Sequence, residues 1–289
     1  HGHPDKLGFV LYGLGQVLAP DPGTANYGVP IQGGWFRTTL AHNTLTVDEQ
    51  SQAAAEGRCE AFLATNGFSA VMAGAGKIAE GVSVHRTVAL IDENLLLFVD
   101  QIRADKEHTF DLAYHNVGKL TAPSGAAPFT LPDKPGYRYL RDAKSLDSAE
   151  GLQLTFDRSG GRTLRWLMAP GDPTTFITGT GVGTHTEDRV PLVIARRKAK
   201  ETAYAWCVAL GSTAPDVRWA SALVTARDER APTAARVAIV EISTPGERHL
   251  VLANPTGEKI TVAGQAFEGK LAYLVPGDGA TLRIQHAVP

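Results

Sequence analysis

Cysteine and methionine are scarce, with two of each in 289 residues. Cys59 and Cys207 are too few to staple a small scaffold, so the fold must rest on an apolar core. Cys207 lies in Tyr204-Ala-Trp-Cys-Val-Ala-Leu210 and reads as a small buried hydrophobe; a pairing with Cys59 is allowed but not implied. No stretch reaches the roughly 18 apolar residues that a helical membrane span needs, so no membrane partner is expected. Basic residues are not clustered, and the net charge is −2. The lone basic run, Arg196-Arg-Lys-Ala-Lys200, reads as a solvated strand end or turn, so no nucleic-acid partner is expected either. There is no Gly-x-Ser-x-Gly elbow and no phosphate-binding glycine loop. Thr178-Gly-Thr-Gly-Val-Gly-Thr184 is glycine-rich, but no helical pattern follows it, and it reads as a flexible loop. Internal repeats and long 3.6-period stripes are also missing, and Gln50–Gly57 is the best short helix candidate.

What the chain does contain is ordinary globular material, 43% hydrophobic and 20% charged, enough for a large core. Short runs of Val, Thr, Leu and aromatic residues are separated by Gly and Pro. They include Gly8–Tyr12, Gln16–Ala19, Asn43–Asp48, Val82–Ile91, Asn94–Asp100, Phe110–His115, Gly151–Phe156, Arg162–Met168, Val190–Ala195 and Thr202–Leu210. Many alternate apolar with polar, which points to an all-β, antiparallel sandwich. A boundary is expected near Gly211–Pro215. It divides a large sandwich (residues 1–212) from a small C-terminal β unit (213–289), which can also be a continuation of the same sheets.

The chain opens on His1-Gly-His-Pro-Asp5, without a methionine. Leu7–Tyr12 and Gln16–Ala19 flank Gly13-Leu14-Gly15, a hairpin signal. With the turn centred near Gly13, facing residues have numbers summing to about 26, which sets Asp21 across from Asp5 and diagonal to His3. His42 begins the next strand pattern. Two imidazoles and a carboxylate suit a tetrahedral zinc shell, or equally a non-haem Fe(II) facial triad. Asp5 takes a local hydrogen-bonding role. His85 and His115 read as structural, His115 with a satisfied hydrogen bond, and His108, His185, His249 and His286 as surface positions.

Several stretches together resemble the C-terminal β-sandwich of heparinase II/III-like polysaccharide lyases, closest to the oligoalginate lyase branch. They are His1-Gly-His-Pro-Asp-Lys-Leu-Gly-Phe9, Val17-Leu-Ala-Pro-Asp-Pro-Gly23 with Tyr27, and Leu40-Ala-His-Asn-Thr-Leu-Thr-Val-Asp48. Asp111-Leu-Ala-Tyr-His-Asn116 and Arg189-Val-Pro-Leu-Val-Ile194 add to it. The resemblance implies a sandwich of the lyase supersandwich type, cleavage of uronic-acid polysaccharides by β-elimination, and a periplasmic or secreted location, or a cytoplasmic one if imported oligosaccharides are the substrate. It implies that His3, Asp21 and His42 bind a zinc of structural role, and that His1 faces the substrate. Arg37, with Lys6, is a candidate for the uronate carboxylate, and Tyr27 for sugar contact. The family's main base and acid come from an N-terminal helical toroid. This chain has no toroid-like sequence, so by itself it is expected to be a half site whose partner is that domain.

Two other readings compete. A cupin-like oxygenase also uses His-x-His on a β scaffold, but it needs a glutamate shortly after the pair, where this chain has Lys6-Leu-Gly-Phe9. A non-catalytic carbohydrate-binding sandwich would stack sugars on Trp35, Phe36 and Tyr27.

Overall fold

The computed structural model describes residues 2–158, 162–211, 214–220, 223–226, 233–276 and 282–289. Two strands organise it, Leu95–His115 and Arg189–Leu210. They pair antiparallel along nearly their whole length, from Leu95 opposite Ala209 to His115 opposite Leu192. This pair forms the middle of a 12-stranded sheet. At one end it continues through Val82–Ile91, Phe68–Gly74 and Arg58–Thr65. At the other end Leu45–Val47 pairs with the first long strand and Thr174–Val182 with the second.

The alternation of side chains explains how one sheet serves several cores. Phe98, Phe110, Leu112, Tyr114, Trp166 and Trp206 point to the inner face and form the central cluster. Their neighbours Leu97, Val99, Ala205 and Cys207 point the other way, onto Val240, Val251, Leu271 and Tyr273. Those four lie in a five-stranded sheet that runs from Asp216–Trp219 to Leu282–Val288. Its opposite face packs Ile239, Leu250 and Leu252 onto a three-stranded sheet through Ile260, Val262 and Phe267. At the far end of the long pair, Ala113, Leu192 and Ile194 are covered by Trp35, Phe36 and Leu40. Strands buried on both faces read as near-continuous apolar runs, as the ends of these two do.

The all-β antiparallel architecture agrees with the sequence reading. Several local expectations do not hold. Asn94–Asp100 and Phe110–His115 are parts of one strand, as are Val190–Ala195 and Thr202–Leu210. Their polar middles remain strand, but the register breaks there: Ala199 pairs with His108 and Glu201 with Arg103, so residues 104–107 bulge opposite Lys200, the kind of irregularity that lets a long strand bend. The basic run is therefore mid-strand. Arg197 is buried, with its guanidinium 4.3 Å from the Tyr204 ring centroid, and Arg196 holds Asp111 through two 2.7 Å hydrogen bonds. The glycine-rich stretch from Thr178 is strand as far as Val182, and Gly181 leaves room for the indole of Trp35.

Gln50–Gly57 is not helical. Its backbone is held by other segments instead: Gln52 N–H donates to Thr39 Oγ1 and Ala53 N–H to the Ile78 carbonyl. Among the described residues the helical elements are short, a π turn over Gln32–Phe36 and 3-10 turns over Thr39–Ala41 and Tyr137–Tyr139. Trp35 and Phe36 are fully buried, which removes the sugar-stacking platform. His108 and His249 are buried rather than on the surface. Both cysteines are free thiols, Cys59 exposed and Cys207 buried, and burial pushes the Cys207 thiol's pKa up. His1, and Ser212 and Thr213 at the expected boundary, lie outside the described residues.

Candidate metal centre

Three separate chain segments bring His3, Asp21 and His42 together. His42 follows the turn at Thr39–Ala41 and is buried. Its Nδ1 lies 2.9 Å from the Thr38 carbonyl. A carbonyl only accepts, so neutral His42 carries its proton on Nδ1 and presents a lone pair on Nε2. That second-atom anchoring is how ligating histidines are oriented. Nε2 faces His3 Nδ1 at 3.2 Å and Asp21 Oδ2 at 3.5 Å. Burial, and then the neighbouring His42, lower the His3 pKa, while Asp21 and Asp5 pull it the other way. A neutral His3 keeps a second lone pair available.

Asp21 sits in the Asp-Pro-Gly turn after the hairpin. Its Oδ1 accepts the Gly23 N–H at 2.7 Å, which leaves Oδ2 for His42. The hairpin itself, Leu11–Gly13 with Gln16–Ala19, turns on Leu14 and Gly15, both at positive φ, the two-residue connection that suits strand twist. Its register pairs Gly13 with Gln16 and Tyr12 with Val17. The expected centre at Gly13 is thus displaced, and the ladder ends before Asp21. Asp5 and Asp21 nevertheless converge, because the chain before the hairpin folds back across His42. Ligand atoms of Asp5, Asp21 and His42 lie within 4.8 Å of one another. Asp5 is the member of this cluster to which the sequence reading gave no ligand role. Its signal was its place in His-Gly-His-Pro-Asp, hidden by a register that made it an ordinary hairpin residue.

The segment from Pro4 to Phe9 hangs on the Thr39–Gln52 segment through side chains. Thr39 Oγ1 donates to the Pro4 carbonyl and Thr44 Oγ1 to that of Lys6. Gln52 accepts from Lys6 N–H at 2.7 Å and donates back to the Lys6 carbonyl at 3.2 Å. Asn43 Nδ2 donates to the Phe9 carbonyl, and Arg86 Nη1 to the carbonyls of Leu7 and Asn43. These bonds set the distance between His3 and His42 before any ion arrives.

Among the described residues the ligand atoms that all lie within 4.8 Å of one another are those of Asp5, Asp21 and His42, and His3 joins this cluster through His42, at 3.2 Å; imidazole and carboxylate donors of this kind suit a borderline divalent metal such as zinc. Beside it lies a cleft of about 520 Å³, lined by His3, Lys6, Gly33 and Arg37 among others. Arg37 is exposed there. Tyr27 is 70% exposed but does not line this cleft.

Behind the site His115 is fully buried. Asn43 Oδ1 accepts from its backbone N–H at 2.7 Å and lies 3.3 Å from its Nδ1, while its Nε2 has no partner. Burial, reinforced by His42, pushes its pKa from 6.5 down to about 3. Folded His115 therefore refuses a proton that the unfolded chain accepts below pH 6.5, and stability falls as pH falls from there towards about 3. At about 1.4 kcal/mol per unit, the full effect is several kcal/mol. The urea midpoint should drop steadily between about pH 7 and pH 4, and His115→Gln should flatten that slope. Equal slopes would show that His115 is not the group responsible.

Residues 1–219 match the family described as Heparinase II/III-like, C-terminal. An alginate lyase of Stenotrophomonas maltophilia is 29% identical over 198 residues, covering 58% of this chain and 25% of that protein. An exo-oligoalginate lyase of Saccharophagus degradans is 29% identical over 143 residues, covering 42% and 19%. Among solved structures, a heparan sulfate lyase from Pedobacter heparinus superimposes with a TM-score of 0.64 at 16% identity, over 88% of this chain and 37% of that one. A heparinase III gives the same TM-score at 15% identity, with the same coverage. At that identity the structures show a shared fold. The chain spans about a quarter or less of the length of these curated relatives and a little over a third of the solved ones.

Proposed function

Because the chain belongs to the heparinase II/III-like C-terminal family, we propose that it is the β-sandwich part of a polysaccharide lyase that cleaves uronate-containing glycans by β-elimination. Alginate oligomers are the preferred substrate and glycosaminoglycans the second. The observation that carries this reading is the convergence of His3, Asp21 and His42 beside a cleft bearing Lys6 and Arg37. The substrate preference is supported by the two alginate lyase relatives.

β-Elimination removes the C5 proton of a uronate and expels the oxygen at C4. The C5 proton is a poor acid while the neighbouring carboxylate keeps its full charge. Arg37 and Lys6 can neutralise that carboxylate, and cationic donors placed where negative charge develops lower the barrier. A zinc held by His3, Asp21 and His42, with Asp5 beside them, supplies a fixed positive charge that ties the first residues to the turn before the Leu45–Val47 strand. The family resemblance assigns His1, which lies outside the described residues, the role of donor or proton relay to the sugar. A positioned acid or base of this kind is worth roughly two to four powers of ten in rate. Tyr27 contributes a sugar contact from the exposed loop whose Ala25 N–H and Thr24 hydroxyl are bound by Gln32 Oε1. The main base and acid come from a helical toroid domain of the larger protein. We place the protein in the periplasm or outside the cell; among the described residues no helix is long and apolar enough to cross a membrane.

The test uses this sandwich together with the rest of its protein, and follows the ultraviolet absorbance of the C4–C5 double bond. Absorbance should rise with alginate oligomers, more slowly with heparan sulfate, and at least about a hundredfold more slowly in His1→Ala. No absorbance change with any uronate glycan would remove the reading.

A further inference from the structure

Far from the first site, two hairpin turns meet at the edge of the interface between the large sheet and the five-stranded sheet. One joins Val82–Ile91 to Leu95–His115 and carries Asp92. The other joins Ala238–Thr244 to Glu247–Ala253 and delivers Glu247 and His249. We propose that Asp92, Glu247 and His249 form a second divalent-metal site, of zinc type, that clips the five-stranded sheet to the large one.

The ligand atoms of the three residues lie within 4.8 Å of one another. His249 is 7% exposed, and its Nε2 has no hydrogen-bond partner. An unmade hydrogen bond on a buried nitrogen costs about 1–3 kcal/mol, so a bare lone pair there needs a reason. Nε2 points at Glu247 Oε2, 3.6 Å away. That is too long for a hydrogen bond, but it is the spacing of two ligands on one ion, since zinc bonds of about 2.0–2.2 Å set tetrahedral ligands roughly 3.3–3.6 Å apart.

The other ring atom is already anchored, with Nδ1 2.6 Å from the Tyr273 hydroxyl. With the proton on Nδ1 donated to Tyr273, Nε2 is left as the metal-binding nitrogen, the arrangement that ligating histidines use. Asp92 is fixed by its backbone. It lies at positive φ, as does Glu93, and its N–H donates to the Gly67 carbonyl at 3.0 Å. All three residues line one open cavity of about 360 Å³, together with Asn94 and Thr244, which leaves space for an ion and its remaining water ligands. Each carboxylate is exposed, so both are free to close the last few tenths of an ångström.

The experiment is zinc stoichiometry of the full chain by equilibrium dialysis and metal analysis, with the thermal midpoint measured with and without zinc. Wild type should bind one equivalent more than His249→Gln, and Asp92→Asn should weaken that equivalent by at least about tenfold. Asp92→Asn changes an exposed turn residue, so it decides the matter if His249→Gln folds poorly. Asp21→Asn, at the first site, should leave this equivalent in place. If Asp21→Asn loses nothing but His249→Gln still loses an equivalent, the first site fails and this one stands. Stoichiometry and zinc-induced thermal shift equal to wild type in Asp92→Asn, and in His249→Gln where it folds, would overturn the proposal.

Discussion

Arg86→Met should destabilise the chain by about 3–5 kcal/mol, because it removes one partner of a buried ion pair and leaves the other charged and unpaired. Arg86 and Asp100 are both buried, and Arg86 Nε donates to Asp100 Oδ1 at 2.6 Å. Asp100 Oδ2 also accepts from the indole of Trp206 at 2.8 Å. The guanidinium lies 5.7–6.0 Å from the ring centroids of Phe9, Phe98 and Trp206. Methionine replaces most of the volume but none of the donors. It strands the Asp100 charge and the carbonyls of Leu7 and Asn43. Those two carbonyls flank the segments that carry His3 and His42, so zinc affinity should fall with stability. The double variant Arg86→Met, Asp100→Leu should recover part of the loss, since no charge is then left buried. A double variant as unstable as the single one would contradict the account. Urea unfolding measures both.

Stripping the metal should have the second largest effect. At free zinc a hundredfold above the dissociation constant, binding to the folded chain alone adds about 2.7 kcal/mol. For a chain of this size that is a thermal midpoint shift of roughly 4–5 °C. Chelation should lower the midpoint by that amount. Asp21→Asn should make the midpoint much less sensitive to chelator, while its midpoint without metal stays near that of the stripped wild type. His42→Ala should abolish the first site's share of the effect, at the further expense of a buried cavity. An unchanged midpoint in wild type after complete metal removal would take away the structural role of the ion.

Much of this was legible in sequence because it rests on local chemistry. Alternation and turn residues marked the strands, and Gly13-Leu14-Gly15 marked the hairpin, although a two-residue turn on Leu14 and Gly15 moved its register. His3, Asp21 and His42 were suggested by residue type and resemblance, and the fold brings His3 to 3.2 Å and Asp21 to 3.5 Å from His42. The long strands were not legible. Their polar centres, Arg103–His108 and Lys198–Glu201, have the composition of turns, and the two strands continue through them because the ladder is made on both sides of the bulge at residues 104–107. Burial of charge was equally hidden. Arg197 and His249 are polar in sequence, and what buries them is contributed by Tyr204 and Tyr273, in one case a few residues away and in the other from a separate strand. The Arg86–Asp100 pair had no signal either, because each residue alone reads as an outward-facing position on a strand.

The central claim is that His3, Asp21 and His42 hold one metal ion at the edge of the cleft. Anomalous diffraction at the zinc edge, from crystals of the zinc-loaded chain, tests it most directly. The account predicts a peak at bonding distance, about 2.0–2.2 Å, from His3 Nδ1, Asp21 Oδ2 and His42 Nε2. Zinc-loaded crystals with no anomalous density between those three side chains would contradict it.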